Sequence, residues 1–207
     1  MQEERIGSWL EELASAAPAP GGGAVAAMAS AMAAGLVEMV ANLTVGRPRY
    51  AESEPLMRRA LERAGELRLE SLRLAAEDAE AFAAVADAYR LPRTTDEEKV
   101  ERSGRIQEAL VGAASVPART AAAAARIVDL AEEILPGANV NVISDVAAAA
   151  SSARAALECA LVNVEVNRGA ITDEGLRSEL GRAVDGIEKD VRRADTLVAA
   201  VRSRLVS

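Results

Sequence analysis

Ala17-Pro18-Ala19-Pro20-Gly21-Gly22-Gly23-Ala24-Val25-Ala26-Ala27-Met28 runs from a loop stiffened by two prolines, through three glycines, into a long segment of small apolar residues. Consecutive glycines are costly in conformational entropy, so a folded chain keeps them where the backbone turns tightly or is approached closely. The spacing predicts a helix from Gly23 to about Thr44, made almost wholly of Ala, Gly, Ser, Val and Met. Its free N–H groups and positive dipole end offer a seat for a carboxylate or phosphate. Such a surface admits another helix, or a flat ligand, at very short range. A glycine-rich loop alone is a weak motif, and close helix packing explains it as well as ligand binding does.

The rest of the composition agrees with a helical reading. The 207 residues are 50% hydrophobic but only 2% aromatic, so the core must come from Ala, Leu, Val and Met. Sheets favour β-branched and aromatic residues, which argues for tightly spaced helices instead. A net charge of -8 disfavours nucleic acid and anionic membrane as partners, because both require a basic face. An anionic small ligand would need a local arginine cluster. The single cysteine, Cys159, forms no intramolecular disulfide, fits a reducing compartment, and reads as a core residue among Ala and Leu. Histidine is absent. That removes the commonest general base, the serine–histidine triad and most zinc sites, leaving acid–base chemistry to Asp, Glu, Lys, Tyr or water. No metal is expected. Met1 to Arg5 lacks the pattern of a signal peptide, and the Gly21–Ala41 segment carries Glu38 and little strong hydrophobicity, so a cytoplasmic protein is expected.

Helical period dominates throughout, with no convincing alternation of strand type. A first helix is expected over Glu3 to Ala16, and Gly46-Arg47-Pro48-Arg49-Tyr50 ends the second. Ser53-Glu54-Pro55 opens a third that runs to about Arg90. Thr95-Asp96-Glu97-Glu98 starts a fourth reaching Leu135, with a kink or short break expected at Val116-Pro117. Pro136 to Asn139 forms a loop, a fifth helix covers about Val142 to Arg168, and Thr172 or Asp173 caps a last one ending near Leu205. The expectation is all-α: a bundle of long antiparallel helices, one domain over residues 1–207. Ala-lined helices leave a modest core per protomer, so association into a dimer or larger assembly is expected.

Two polar constellations interrupt apolar faces. Ala60, Ala64, Leu67, Ser71, Leu74, Ala75, Phe82, Val85 and Tyr89 form one stripe on the third helix, and Asp78 falls in its middle. A carboxylate on a buried face must find a hydrogen bond or cation, or take up a proton, which makes Asp78 a candidate acid or base; flanking Glu77 and Glu80 equally allow a solvated edge. On the fifth helix, Asn141 and Asp145 are four apart, as are Asn163 and Asn167, and eighteen residues separate Asp145 from Asn163. At 3.6 residues per turn, all four share one stripe. Asn139 and Ser144 stand beside them. Capping accounts for part of this cluster, but not for Asn163 and Asn167, so a polar binding site is favoured. Arg47, Arg49 and Tyr50 make a small cationic cluster that reads, by charge alone, as an exposed loop.

These segments, in this order, resemble the formiminotransferase–cyclodeaminase C-terminal family, whose free-standing bacterial members include methenyltetrahydrofolate cyclohydrolases. The resemblance covers nearly the whole chain. It rests on Ala17 to Gly23, Met39-Val40-Ala41-Asn42-Leu43-Thr44-Val45-Gly46 with Tyr50, Asp78 with Ala81-Phe82, Leu91-Pro92, Val116-Pro117, Asn139-x-Asn141-x-x-Ser144-Asp145 and Asn163-x-x-x-Asn167. One departure is Ala24, where the family usually carries serine. The resemblance implies an all-α homodimer acting on a tetrahydrofolate derivative without metal, nucleotide or other cofactor. It implies Asp78 as general base and Asp145 as a second carboxylate. Substrate contacts are implied for Pro20, Gly21, Gly22, Gly23, Arg47, Tyr50, Asn139, Asn141, Ser144, Asn163 and Asn167. The implied reaction is hydrolysis of 5,10-methenyltetrahydrofolate; the alternatives are formiminotetrahydrofolate cyclodeamination and a non-catalytic folate-binding or scaffold dimer.

Overall fold

The structure, a computed structural model, describes residues 5–206. Six helices account for most of them: α1 Ile6–Leu13, α2 Gly22–Asn42, α3 Glu54–Arg90, α4 Asp96–Ile134, α5 Ile143–Ala170 and α6 Glu174–Leu205, with 3-10 turns at Pro48–Ser53 and Val140–Val142. Among the described residues there is no strand. The starts fall where local chemistry places them. Thr95 caps α4 in a reciprocal box: its hydroxyl accepts from the Glu98 N–H (3.2 Å) while the Glu98 carboxylate accepts from the Thr95 N–H (3.1 Å). Asp173 caps α6 by accepting from the Leu176 N–H at 2.8 Å. Gly46 takes the left-handed conformation (φ 74°) that ends the α2 segment.

Each long helix runs antiparallel to the next, as the cross-helix contacts register. Ser30 meets Ser71 (Oγ–Oγ 2.8 Å, both buried), and Glu38 pairs with Arg68, across α2 and α3. Glu70 pairs with Arg126 and Arg63 with Glu133 across α3 and α4. Arg154 pairs with Asp195 across α5 and α6. Arg193 of α6 reaches Asp129 and Glu132 of α4, both at 2.6 Å. The core lies where α2, α4 and α5 meet, and it is built from small residues: Ala27, Ala34, Ala41, Ala124, Ala131, Ala153 and Ala160 are all fully buried. Small side chains let the helix axes approach, so dispersion contacts are dense despite few aromatics. By length and composition α2 could cross a membrane, yet most of it is buried inside the bundle.

Four expectations change. The first helix is shorter than Glu3 to Ala16; its expected start at Glu3 and Glu4 lies outside the described residues, and only Trp9 of it is buried. Of the kink or short break expected at Val116-Pro117, the break does not occur: α4 is continuous, with Pro117 buried inside it. The apolar stripe of α3 is buried from Ala60 to Ala75, but Phe82 (46% exposed) and Tyr89 (51%) emerge into solvent. Their exposure follows from helix lengths. α2 starts opposite Asp78, so α3 beyond that point has lost the neighbour that covers its lower turns. Cys159 is half-buried, not a full core residue.

Candidate functional site

The unequal helix lengths create the cleft. Above the N-terminus of α2 the walls of α3, α4 and α5 continue, enclosing about 440 Å³ lined by Pro18, Ala19 and the three glycines of the loop, though not Pro20, and by Asp78, Phe82, Val85, Leu110, Asn163, Val166 and Asn167, among others. The glycine loop therefore forms the floor, with a cis Ala19–Pro20 peptide before it. Asp78 of α3 bends onto that floor. A Cβ on Gly23 would overlap the Asp78 carboxylate, so the close approach exists only because residue 23 is glycine.

The carboxylate accepts a hydrogen bond from the backbone N–H of Ala24, in the first turn of α2. Two opposing influences act on it. Burial disfavours the charged form and raises its pKa above the ordinary value of 3.8; the Ala24 N–H lowers it, and burial wins. The positive end of the α2 dipole keeps an anion welcome there. Asp78 is thus a carboxylate held at the cleft floor, more basic than a free aspartate and still accessible.

Asn163 and Asn167 form the wall facing it. Asn163 Nδ2 donates to the Cys159 carbonyl at 2.7 Å. Asn167 Nδ2 donates to the carbonyls of Asn163 (2.9 Å) and Ala113 (3.4 Å). The latter carbonyl is free because Pro117, four residues on, has no N–H to offer it. Both amide nitrogens are thus engaged with backbone carbonyls, while both side chains line the cleft. The remaining wall is flat and apolar: Phe82, Val85, Leu110 and Val166. No Lys or Arg lines the cleft, and among the described residues no group of three metal-ligating side chains gathers anywhere.

The other sequence-derived residues lie at the opposite end of the bundle. Asn139, buried, donates from Nδ2 to the Leu43 carbonyl (2.8 Å) and from its backbone N–H to Thr44 Oγ1 (3.1 Å). Its Oδ1 accepts from the Tyr50 hydroxyl (3.3 Å) and the Asn141 N–H (3.1 Å). The Tyr50 hydroxyl also accepts from the Val140 N–H at 3.1 Å. Asn139 and Tyr50 thus tie the α4–α5 loop to the end of α2. Exposed Ser144 and half-buried Asp145 follow in the first turn of α5. Eighteen residues of helix span about 27 Å, so within one chain Asp145 stands at the far end of α5 from Asn163 and the Asp78 cleft. Helical phase put both pairs on one stripe, and rise per residue put them at opposite ends of it.

The sequence reading missed Phe82, Val85, Leu110 and Val166 as cleft walls. For Phe82 a signal existed: it is the chain's one phenylalanine, four residues after Asp78 and therefore on the same face.

Comparison with known proteins places this geometry in context. A model of the formiminotransferase-cyclodeaminase family matches residues 5–186. A methenyltetrahydrofolate cyclohydrolase of Methylorubrum extorquens is 44% identical over 184 residues, covering 89% of this chain and 88% of that protein. The formimidoyltransferase-cyclodeaminase of Sus scrofa is 32% identical over 96% of this chain, which spans only 36% of that protein's length. The solved formiminotetrahydrofolate cyclodeaminase of Thermotoga maritima superposes with a TM-score of 0.89 at 31% identity, covering 100% of this chain and 99% of that one.

Proposed function

Because the chain belongs to the formiminotransferase-cyclodeaminase family, we propose that it is a methenyltetrahydrofolate cyclohydrolase, converting 5,10-methenyltetrahydrofolate to 10-formyltetrahydrofolate in the one-carbon metabolism of the cytoplasm. The observation that carries the proposal is the Asp78 carboxylate, made basic by burial and seated on Gly23 beneath a flat cleft. The 44% identity to a cyclohydrolase of nearly the same length supports that choice of reaction. The flat pterin ring suits the apolar walls around Phe82. The N–H groups on its pyrimidine edge suit the acceptor oxygens of Asn163 and Asn167.

The chemistry follows from charge. The amidinium carbon of the substrate is positive, and a carboxylate nearby stabilises it while activating water. Asp78 accepts a proton as the water oxygen bonds to that carbon, giving a tetrahedral adduct. The ring C–N5 bond then breaks, N5 taking the proton that Asp78 received. The hydroxyl of the adduct loses its own proton to become the formyl carbonyl on N10. The sum is addition of one water with release of one proton, a redox-neutral step for which no metal or cofactor is needed. Gly21, Gly22 and Gly23, with Pro20 before them, bring the α2 N-terminus against the ligand.

A cyclodeaminase is the second reading, favoured by the backbone match to the Thermotoga maritima protein. There the same carboxylate would protonate the departing ammonia. Offering both substrates to the purified protein decides the matter. Hydrolysis of the methenyl compound well above its spontaneous rate, without ammonia from the formimino compound, is expected. Ammonia release with no hydrolysis would reverse the assignment. We further propose that the protein acts as a homodimer.

A further inference from the structure

The far half of the α3–α4 hairpin stands almost clear of the core. Among the described residues between Ala75 and Ile106, only Ala88 is buried. Of the long helices, α3 packs substantially on α2 and α4 alone, so where α2 is absent it leans on α4. This end has its own small cluster, distinct from the main core, in which Ala88, Ile106, Leu110 and Ala114 gather with Ile171 of the α5–α6 turn. A segment with so little buried apolar surface opens locally before the rest of the protein unfolds. The helix is also weakened where this end begins. Gly112 is a poor helix residue, the Ala113 carbonyl receives no N–H from Pro117, and the Ser115 hydroxyl bonds the Gly112 carbonyl at 2.9 Å.

Yet this lightly held end carries much of the cleft. Phe82, Val85 and Leu110 line it from α3 and α4, and Val166, Asn167 and Ala170 line it from the last turns of α5. One side chain joins the two sides. Gln107 Nε2 donates to the Ala170 carbonyl at 3.1 Å, and Gln107 Oε1 accepts from the Thr172 N–H (2.8 Å) and the Thr172 hydroxyl (3.0 Å). The Ala170 carbonyl is one of those that a helix C-terminus leaves without an internal donor. The Gln107 amide therefore brackets Ile171 on both sides and keeps it in the cluster. It also lies one turn before Leu110, on the same face of α4.

We infer that Gln107 is a positioning residue: as the latch between α4 and the α5–α6 turn, it holds the hairpin end at the cleft width that grips the ligand. The inference rests on the folate reading above, in which the pterin lies against Phe82. Without the latch the hairpin end swings about the weak stretch from Gly112 to Pro117, and the closed form is less populated. Apparent affinity then falls by the fraction that stays closed, whereas saturating ligand restores that form. KM rises and kcat holds. Asp78 remains seated on Gly23, outside the moving part, so the acidic limb of the pH profile stays where it is.

Two measurements test this. Gln107→Ala should raise KM for 5,10-methenyltetrahydrofolate about five- to tenfold with kcat within about twofold, as the loss of one or two net hydrogen bonds requires. Thr172→Val alone should raise KM about two- to threefold, and added to Gln107→Ala it should raise it no further, because its partner is already gone. An unchanged KM in Gln107→Ala beside an active wild type, or increases that multiply in the double variant, would overturn the inference. So would a fall in kcat with a shifted acidic limb, which would place the effect at Asp78. In hydrogen exchange on the ligand-free proteins, the amides of residues 79–112 should exchange about tenfold faster in Gln107→Ala, with those of α2 unchanged. Equal acceleration in every helix, or none at all, would overturn it too. Exchange needs no substrate, so a wild type inactive on the methenyl compound would defeat the functional reading while the latch is still decided.

Discussion

The Asn167 side-chain amide donates to the carbonyl of Ala113, the one helical carbonyl of α4 that Pro117 deprives of its donor. A proline inside a helix removes one hydrogen bond and crowds the preceding turn, at a cost of about 3 kcal/mol. Here the unpaired carbonyl becomes an anchor for a side chain from a neighbouring helix, and that anchor fixes Asn167 on the cleft wall.

The relationship predicts coupling between the two positions. Asn167→Ala should cost about 1–2 kcal/mol of stability in the wild type, where it leaves Ala113 unpaired. In a Pro117→Ala background the helix supplies its own donor, and the same change should cost about 0.5–1 kcal/mol less. Denaturant unfolding of the four proteins of the cycle measures this; strictly additive costs would deny the link.

Gly23 and Gly22 should differ sharply although they are adjacent. A methyl at residue 23 overlaps the Asp78 carboxylate, whereas one at residue 22 meets Asn163 Nδ2 at an ordinary 3.4 Å. Gly23→Ala should lower kcat by at least about tenfold by displacing the base. Gly22→Ala should leave kcat within about threefold, a shift of well under 1 kcal/mol in the barrier. Steady-state kinetics on both variants, with circular dichroism to confirm helix content, gives the comparison.

At the other end of the bundle the polar residues work on the chain itself. Asn139→Ala removes bonds to Leu43, Tyr50 and Asn141 from a buried position, and should destabilise by about 2–3 kcal/mol. Tyr50→Phe leaves the Asn139 amide in place and should cost only about 1 kcal/mol. Equal losses, read as unfolding midpoints at constant m-value, would contradict this hierarchy.

Phe82 emerges from α3 one turn beyond Asp78, on the cleft wall. If it stacks on the pterin, Phe82→Ala should raise KM by about five- to tenfold, matching the 1–1.5 kcal/mol typical of such ring contacts. Stability should change little, because the ring is half in solvent. Phe82→Tyr should restore KM; a loss of stability with KM unchanged would make it a packing residue.

Most helix boundaries were legible because they are written in local chemistry: Ser53-Glu54-Pro55, the Thr95 and Glu98 box, and Asp173 each mark a start that needs no tertiary information. Asp78 was legible as a carboxylate out of place on an apolar stripe. What the sequence hid depends on how far neighbouring helices extend. Helical period put Phe82 on the buried face of α3, but α2 begins opposite Asp78 and does not reach Phe82, so the same face turns from core to cleft wall there. Period likewise put Asp145 and Asn163 in line without saying that a helix carries them about 27 Å apart. The role of Pro117 was hidden for a similar reason, since its missing donor is replaced by a side chain from a helix distant in sequence.

The pH profile of methenyltetrahydrofolate hydrolysis by the wild type and Asp78→Asn tests the central claim most directly. Burial raises the Asp78 pKa, so the acidic limb of kcat/KM should lie above the ordinary aspartate value of 3.8, activity rising as the carboxylate ionises. The sign for stability is the reverse. A folded state that binds the proton more tightly than the unfolded chain loses stability as pH rises through that raised pKa, so Asp78→Asn should be no less stable than the wild type at neutral pH. The account predicts a loss in kcat of about 10²–10⁴ in the variant, with the acidic limb gone. A variant that keeps both the rate and the limb would show that another group is the base.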